Sequence, residues 1–157
     1  MTIPGPDHPI TLTPAATRWQ AAFNGHLIAD SAAAMVLREA SYSPVVYFPR
    51  QDVEMSYMGR TGHSTHCPYK GDARYYTITR DGVVAENAVW TYETPFPAMA
   101  QIAGMVAFYP RHVRVHAVGE PLVTSRAEVD DAVLHTDSGS GTSQREHGAP
   151  NVKGPDD

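Results

Sequence analysis

Two dipeptides, Asn24–Gly25 and Asp81–Gly82, set the tightest limit on what this chain can fold into. Each separates two runs rich in apolar, aromatic or β-branched residues: 17–23 and 26–30 around the first, 74–79 and 83–90 around the second. Both residue types of these dipeptides tolerate positive φ, so they are favoured in two-residue hairpin turns. Two hairpins commit the chain to antiparallel pairing. Residues 45–48, 54–58, 104–109 and 113–118 read as further short strands. Residues 31–40 are helical by propensity with Ser31 as N-cap, although a strand suits so short a run equally well. Residues 98–103 fit one or two helical turns, and 59–72, with Gly59, Gly62, Pro68 and Gly71, read as irregular. No strand–helix–strand repeat calls for a parallel sheet. The expected fold is mainly β: a single small antiparallel domain, barrel-like or a sandwich, with one or two short helices.

The aromatic residues mark where the core lies. All 14 precede residue 118. Residues 1–117 balance nine acidic against nine basic side chains, whereas 118–157 hold eight acidic and three basic, the whole net charge of −5. The chain therefore divides into a Pro-rich arm (1–14), a folded domain (15–118) and an acidic, aromatic-free tail (119–157) expected to stay flexible. No Lys/Arg cluster or basic groove interleaved with aromatics points to nucleic acid. No basic amphipathic helix suits a membrane surface, and no apolar run approaches the roughly 20 residues that span a bilayer. The N-terminus shows no secretion signal, so the expected compartment is the cytoplasm. A lone cysteine excludes an intramolecular disulfide and a multi-cysteine zinc site.

Chemistry concentrates in residues 63–72, which bring two imidazoles, a thiol, an ammonium and a carboxylate into one segment. Cys67 is a candidate nucleophile, because a neighbouring imidazolium or Lys70 would favour its thiolate. The competing reading is a small buried hydrophobe. In an extended segment His63 shares the face of Cys67 and His66 points away. Three adjacent ligands without a distant partner do not make a metal site, so neither metal nor cofactor is expected. Lys70–Gly71 sets an ammonium beside backbone free of a Cβ, suited to a phosphate or carboxylate, although the glycines of a P-loop are missing. A structural Lys70 paired with Asp72 or Glu54 fits as well. Arg50, Asp52 and Glu54 share one face of an extended chain and offer acid–base groups, or else form a solvated edge. Glu86 is a carboxylate in an otherwise apolar strand. Trp90 and Tyr92 share a strand face and line either a pocket or the core.

Four stretches together carry a family resemblance: 47–53 (Tyr-Phe-Pro-Arg-Gln-Asp-Val), 63–76 with its Cys-Pro-x-Lys-Gly run, 85–92 (Ala-Glu-Asn-Ala-Val-Trp-Thr-Tyr) and 102–110. In this order and spacing, with Pro95 completing a Trp-x-Tyr-x-x-Pro run, the chain resembles the DUF427 family of small bacterial proteins over about residues 17–117. His63, Thr65, Cys67, Pro68, Lys70, Gly71, Tyr75, Glu86 and Trp90 match the family pattern. The resemblance implies a compact, mostly β domain and brings no settled activity. The family is sometimes filed under a nucleotidyltransferase-like heading. The Gly-Ser followed by Asp-x-Asp that would place metal-binding carboxylates for a nucleotide triphosphate is not in this sequence.

The expected function is binding of a small molecule, a nucleotide or another anion. Arg50 and Lys70 would hold the anion beside Gly71, and Tyr75 or Trp90 would stack on its flat part. In a transfer or hydrolysis, Cys67 would be the nucleophile, His63 its base, and Asp52 or Glu86 the orienting acid. The alternative is a non-catalytic protein-interaction or dimerisation domain, in which an apolar face pairs two copies. The sequence leaves open whether the chain is an enzyme.

Overall fold

The computed structural model describes residues 1–121, and the acidic tail from residue 122 lies outside the described residues. Ten strands follow in order: β1 Ile10–Pro14, β2 Thr17–Phe23, β3 His26–Ser31, β4 Met35–Glu39, β5 Val45–Tyr47, β6 Met58–Cys67, β7 Gly71–Arg80, β8 Val83–Thr91, β9 Val106–Phe108 and β10 Arg114–Pro121. They form three antiparallel sheets ordered β1-β4-β5, β10-β2-β3 and β6-β7-β8-β9. Paired bonds between Phe48 and Val106, at 2.8 and 2.9 Å, stitch the first sheet to the third beyond the end of β5. The sheets stack in a sandwich-like arrangement and do not close into a barrel. The fold is mainly β, as the turn chemistry requires.

Both hairpins form at the expected residues. Phe23 pairs with His26 and Arg80 with Val83 across two-residue turns. Asn24, Gly25, Asp81 and Gly82 all have φ between 51° and 79°, the backbone that those residue types adopt with least strain.

Two stretches differ from the sequence reading, and in a third one of two open readings is found. Residues 31–40 contain a strand, β4, and no helix. Met35, Leu37 and Glu39 face one core and Val36 the other. A strand covered on both sides loses its polar alternation and imitates a helical composition. Residues 54–58 are largely a 3-10 turn, Met55–Tyr57, not a strand. Residues 59–67, read as irregular, belong to β6. This strand has one neighbour and an exposed outer side, so it carries glycine and polar residues where a central strand would alternate. The helical content of the described residues is limited to 3-10 turns at Arg50–Asp52, Met55–Tyr57 and Pro97–Ile102. No helix among them is long and apolar enough to cross a membrane.

The sheet β6-β7-β8-β9 separates two cores. Tyr76, Ile78, Val89 and Phe108 face a first core shared with Trp19, Ala21 and Phe23 of β2. Ala73, Tyr75, Trp90 and Ala107 face a second core closed by Leu37 of β4 and Tyr47 of β5. The second core is dominated by tyrosine and tryptophan, side chains with an apolar body and a polar tip.

The end of the Pro-rich arm is part of the fold. β1 pairs with β4 from Ile10↔Glu39 to Pro14↔Met35. Residues 1–9 lie beside the turn between β6 and β7, where the Thr2 amide donates to the Pro68 carbonyl at 2.6 Å. The Ala40 amide bonds the Pro9 carbonyl at 2.8 Å.

Candidate functional site

The 67–71 turn places its polar groups at one end of the second core. Cys67 ends β6, Gly71 opens β7, and the two residues pair. Gly71 has φ +116°, and a Cβ there would meet the Pro95 Cα at 3.5 Å and the Phe96 nitrogen at 3.6 Å. The Phe96 amide closes the same corner by donating to the Lys70 carbonyl at 3.0 Å. Only glycine adopts this backbone without strain. Gly71→Ala should cost about 1–3 kcal/mol, the usual range for a forced backbone outlier. Chemical denaturation of the variant would measure it.

Held in this way, Lys70 points inward and is fully buried. Its Nζ donates to Glu39 Oε1 at 2.6 Å, and Glu39 is 2% exposed. The same Nζ lies 3.7 Å from Cys67 Sγ as a donor. Glu39 spends its other oxygen on His8, with Oε2 and Nε2 2.7 Å apart. His8 is 24% exposed and stacks on Tyr69, ring centroids 4.2 Å apart and planes 9° from parallel. A chain of polar contacts thus runs from a surface imidazole through a buried carboxylate and ammonium to a buried thiol.

Tyrosine hydroxyls line the interior beside it. The Trp90 indole N–H donates to the Tyr47 hydroxyl at 3.1 Å. The Tyr75 hydroxyl is 2.8 Å from Thr65 Oγ1. The Tyr92 hydroxyl is fully buried and, among the described residues, meets no hydrogen-bond partner. Burial pushes the Tyr92 hydroxyl well above its ordinary range, and Tyr47, Cys67, Tyr75 and Glu39 push it the same way. Burial likewise raises Tyr47, opposed by the Trp90 bond and reinforced by Glu39 and Cys67. These neighbours place the phenols, the thiol and the carboxylate in one electrostatic environment.

Of the residues singled out by sequence, Cys67, Lys70, Gly71, Tyr75 and Trp90 come together around the second core. His63 is exposed, its ring tilted against Tyr75 at 4.4 Å. It lies within the register shift of β6 against β7, between Arg60 and Ser64. Among the described residues, Lys70 is the basic group with a hydrogen-bond contact to the thiol. Lys70 pairs with Glu39, not with Asp72 or Glu54; Asp72 is held by His66 at 2.7 Å. Asp52 accepts from the Ser31 hydroxyl at 2.7 Å. Arg50 donates to the Tyr76 hydroxyl at 3.0 Å, on the side of the first core. It also borders an open groove of about 350 Å³ with Pro49, Gln51, Ala103, Gly104 and Met105. Glu86 is exposed on β8.

Sequence reasoning did not single out Glu39 and His8 as site residues. Glu39 has a signal once residues 35–39 are taken as a strand: it follows Met35 and Leu37 on their face. His8 has none, since it sits among prolines and meets Glu39 only through the fold.

No curated protein matches the chain. The model of the family described as a domain of unknown function, DUF427, matches residues 11–119, a span that takes in all ten strands but for parts of β1 and β10, and the chain belongs to that family.

Proposed function

We propose that the chain transforms a small molecule at Cys67, by transfer or hydrolysis through a covalent bond to its sulfur. The observation that carries this reading is the Lys70–Glu39 pair, buried to 0% and 2% exposure and in contact with the thiol. Burying two charges is expensive, and apolar residues of similar size often serve stability equally well or better. Stability alone therefore gives little reason to keep the pair. Clefts and clusters where such groups meet are where catalytic side chains collect. In the proposed roles, Lys70 steadies the thiolate, Glu39 holds Lys70, and His8 connects Glu39 to solvent.

The anion expected from the sequence is placed less easily at this thiol. The charge of Lys70 is already matched by Glu39. Arg50 and its groove are the remaining candidate for such a group. The alternative of an interaction or dimerisation domain draws on a different place. His26 and Asp81, 2.5 Å apart, join the two hairpin ends, beside which Leu27, Val83 and Val84 are exposed.

Alkylation by iodoacetamide tests the main reading. Cys67 in the native full chain should react, and Lys70→Met should slow the reaction about tenfold at neutral pH by removing the cation beside the sulfur. A thiol that stays silent until the protein is unfolded would make Cys67 a core residue. The interaction reading would then lead.

A further inference from the structure

We infer that the Tyr92 hydroxyl, with that of Tyr47, is a hydrogen-bond donor site for the carbonyl oxygen of an acyl group delivered to Cys67, so that the substrates are neutral acyl donors such as esters and thioesters. This rests on the Cys67 reading and adds the class of substrate and the groups that receive it.

Three observations support it. Tyr92 carries a fully buried hydroxyl with no partner among the described residues. A buried orphan donor is uncommon in folded proteins and calls for a missing acceptor. Tyr47 accepts from the Trp90 indole, which leaves its own O–H hydrogen to give. The strand register then places Tyr92 toward the thiol. Arg74 pairs with Thr91 and Thr65 with Ala73, so that one step beyond Thr91, Tyr92 lies level with Ala73. Cys67 is two residues from Thr65 on the same face, opposite Gly71. On β7, the two residues between them are Ala73 and Gly71, the smallest available.

Charge selects the ligand. Glu39 already holds a carboxylate in this interior. Paired with Lys70, it leaves no net positive charge to hold a second anion, whereas a neutral carbonyl needs only the two phenol donors. Negative charge developing on that carbonyl during reaction would meet two phenol donors and the nearby Lys70 ammonium, in a site sheltered from water.

The Cys67 thiol proton passes through Lys70 to Glu39. The sulfur attacks the carbonyl carbon, forming the S–C bond while the C=O electron pair moves onto oxygen. The pair returns as the bond to the leaving group breaks. The leaving group departs with the proton held on Glu39, and Cys67 is left as a thioester. Water then attacks that thioester, releasing the carboxylic acid and restoring the thiol.

The test uses p-nitrophenyl acetate on the full chain, with acetylation of Cys67 followed by peptide mass. Tyr92→Phe should slow acetylation about 10²-fold, the usual effect of losing one oxyanion donor. It should leave alkylation by methyl iodide unchanged, because that reagent has no carbonyl to bind and its displacement develops no oxyanion. Equal acetylation of Tyr92→Phe and the parent protein would overturn the donor assignment while leaving the thiol reading intact. Failure of both reagents to reach native Cys67 would overturn both. A second measurement needs no variant: acetaldehyde should protect Cys67 from alkylation, and acetate should not. Protection by acetate as strong as by acetaldehyde would overturn the choice of a neutral carbonyl.

Discussion

Lys70→Met is expected to lower the unfolding free energy by about 3–5 kcal/mol, the cost of stranding one member of a buried ion pair. The charge left behind is Glu39, 2% exposed and then held by His8 alone. The lysine stem is apolar and methionine fills a similar volume, so packing changes little and the loss reports electrostatics. Combining Lys70→Met with Glu39→Leu should recover much of the loss, since the second change removes the stranded charge. Urea unfolding of both single variants and the double variant gives the coupling directly. A loss below about 1 kcal/mol for the single variant would mean that water reaches the pair, as at an ordinary surface ion pair. Loss of thiol reactivity in Lys70→Met should be measured well below its unfolding midpoint, where folding is complete.

Trp90→Ala is expected to cost about 3–5 kcal/mol, the range for emptying a large aromatic site in a core. Trp90 is 2% exposed and tilts against Tyr109 with ring centroids 4.7 Å apart. Its edge meets Tyr47, at 6.3 Å between centroids and 88° between planes, and its N–H bonds the Tyr47 hydroxyl. The substitution removes those contacts, frees the Tyr47 hydroxyl and leaves a cavity between two tyrosines. Thermal unfolding followed by far-UV circular dichroism would read the change. A loss below about 1 kcal/mol would mean that the neighbouring rings collapse into the space. Trp90 thus acts as a wall of the polar interior, a position from which a stacking role toward a ligand would require the two tyrosines to part.

The parts of this fold governed by local rules were readable from the chain. Asn24–Gly25 and Asp81–Gly82 specify their turns through backbone preference alone, and both hairpins are present. The Cys-Pro-x-Lys-Gly run forms the turn between β6 and β7, where Gly71 is required by a backbone angle and by the approach of Pro95. What could not be read depends on partners distant along the chain. Glu39 meets Lys70 across 31 residues, and His8 meets Glu39 across the same separation. Spacing within one segment favoured His63 as the base for Cys67, but side-chain direction at a register shift decides such contacts, and the glycines at 59 and 62 hid that β6 was a strand at all. Asp52 looked available for catalysis until the fold brought Ser31 to it.

The family-matched span begins at residue 11, yet the imidazole that completes the polar chain is His8. Residues 1–9 precede every strand and touch the site through a few bonds: Thr2 on Pro68, His8 on Glu39, Pro9 on Ala40. A short segment of this kind can change in sequence without disturbing a single sheet pairing. In the proposed reading, the thiol, lysine and glutamate lie inside the family-matched span, while the imidazole that links them to solvent lies outside it, on nine residues that form none of the ten strands.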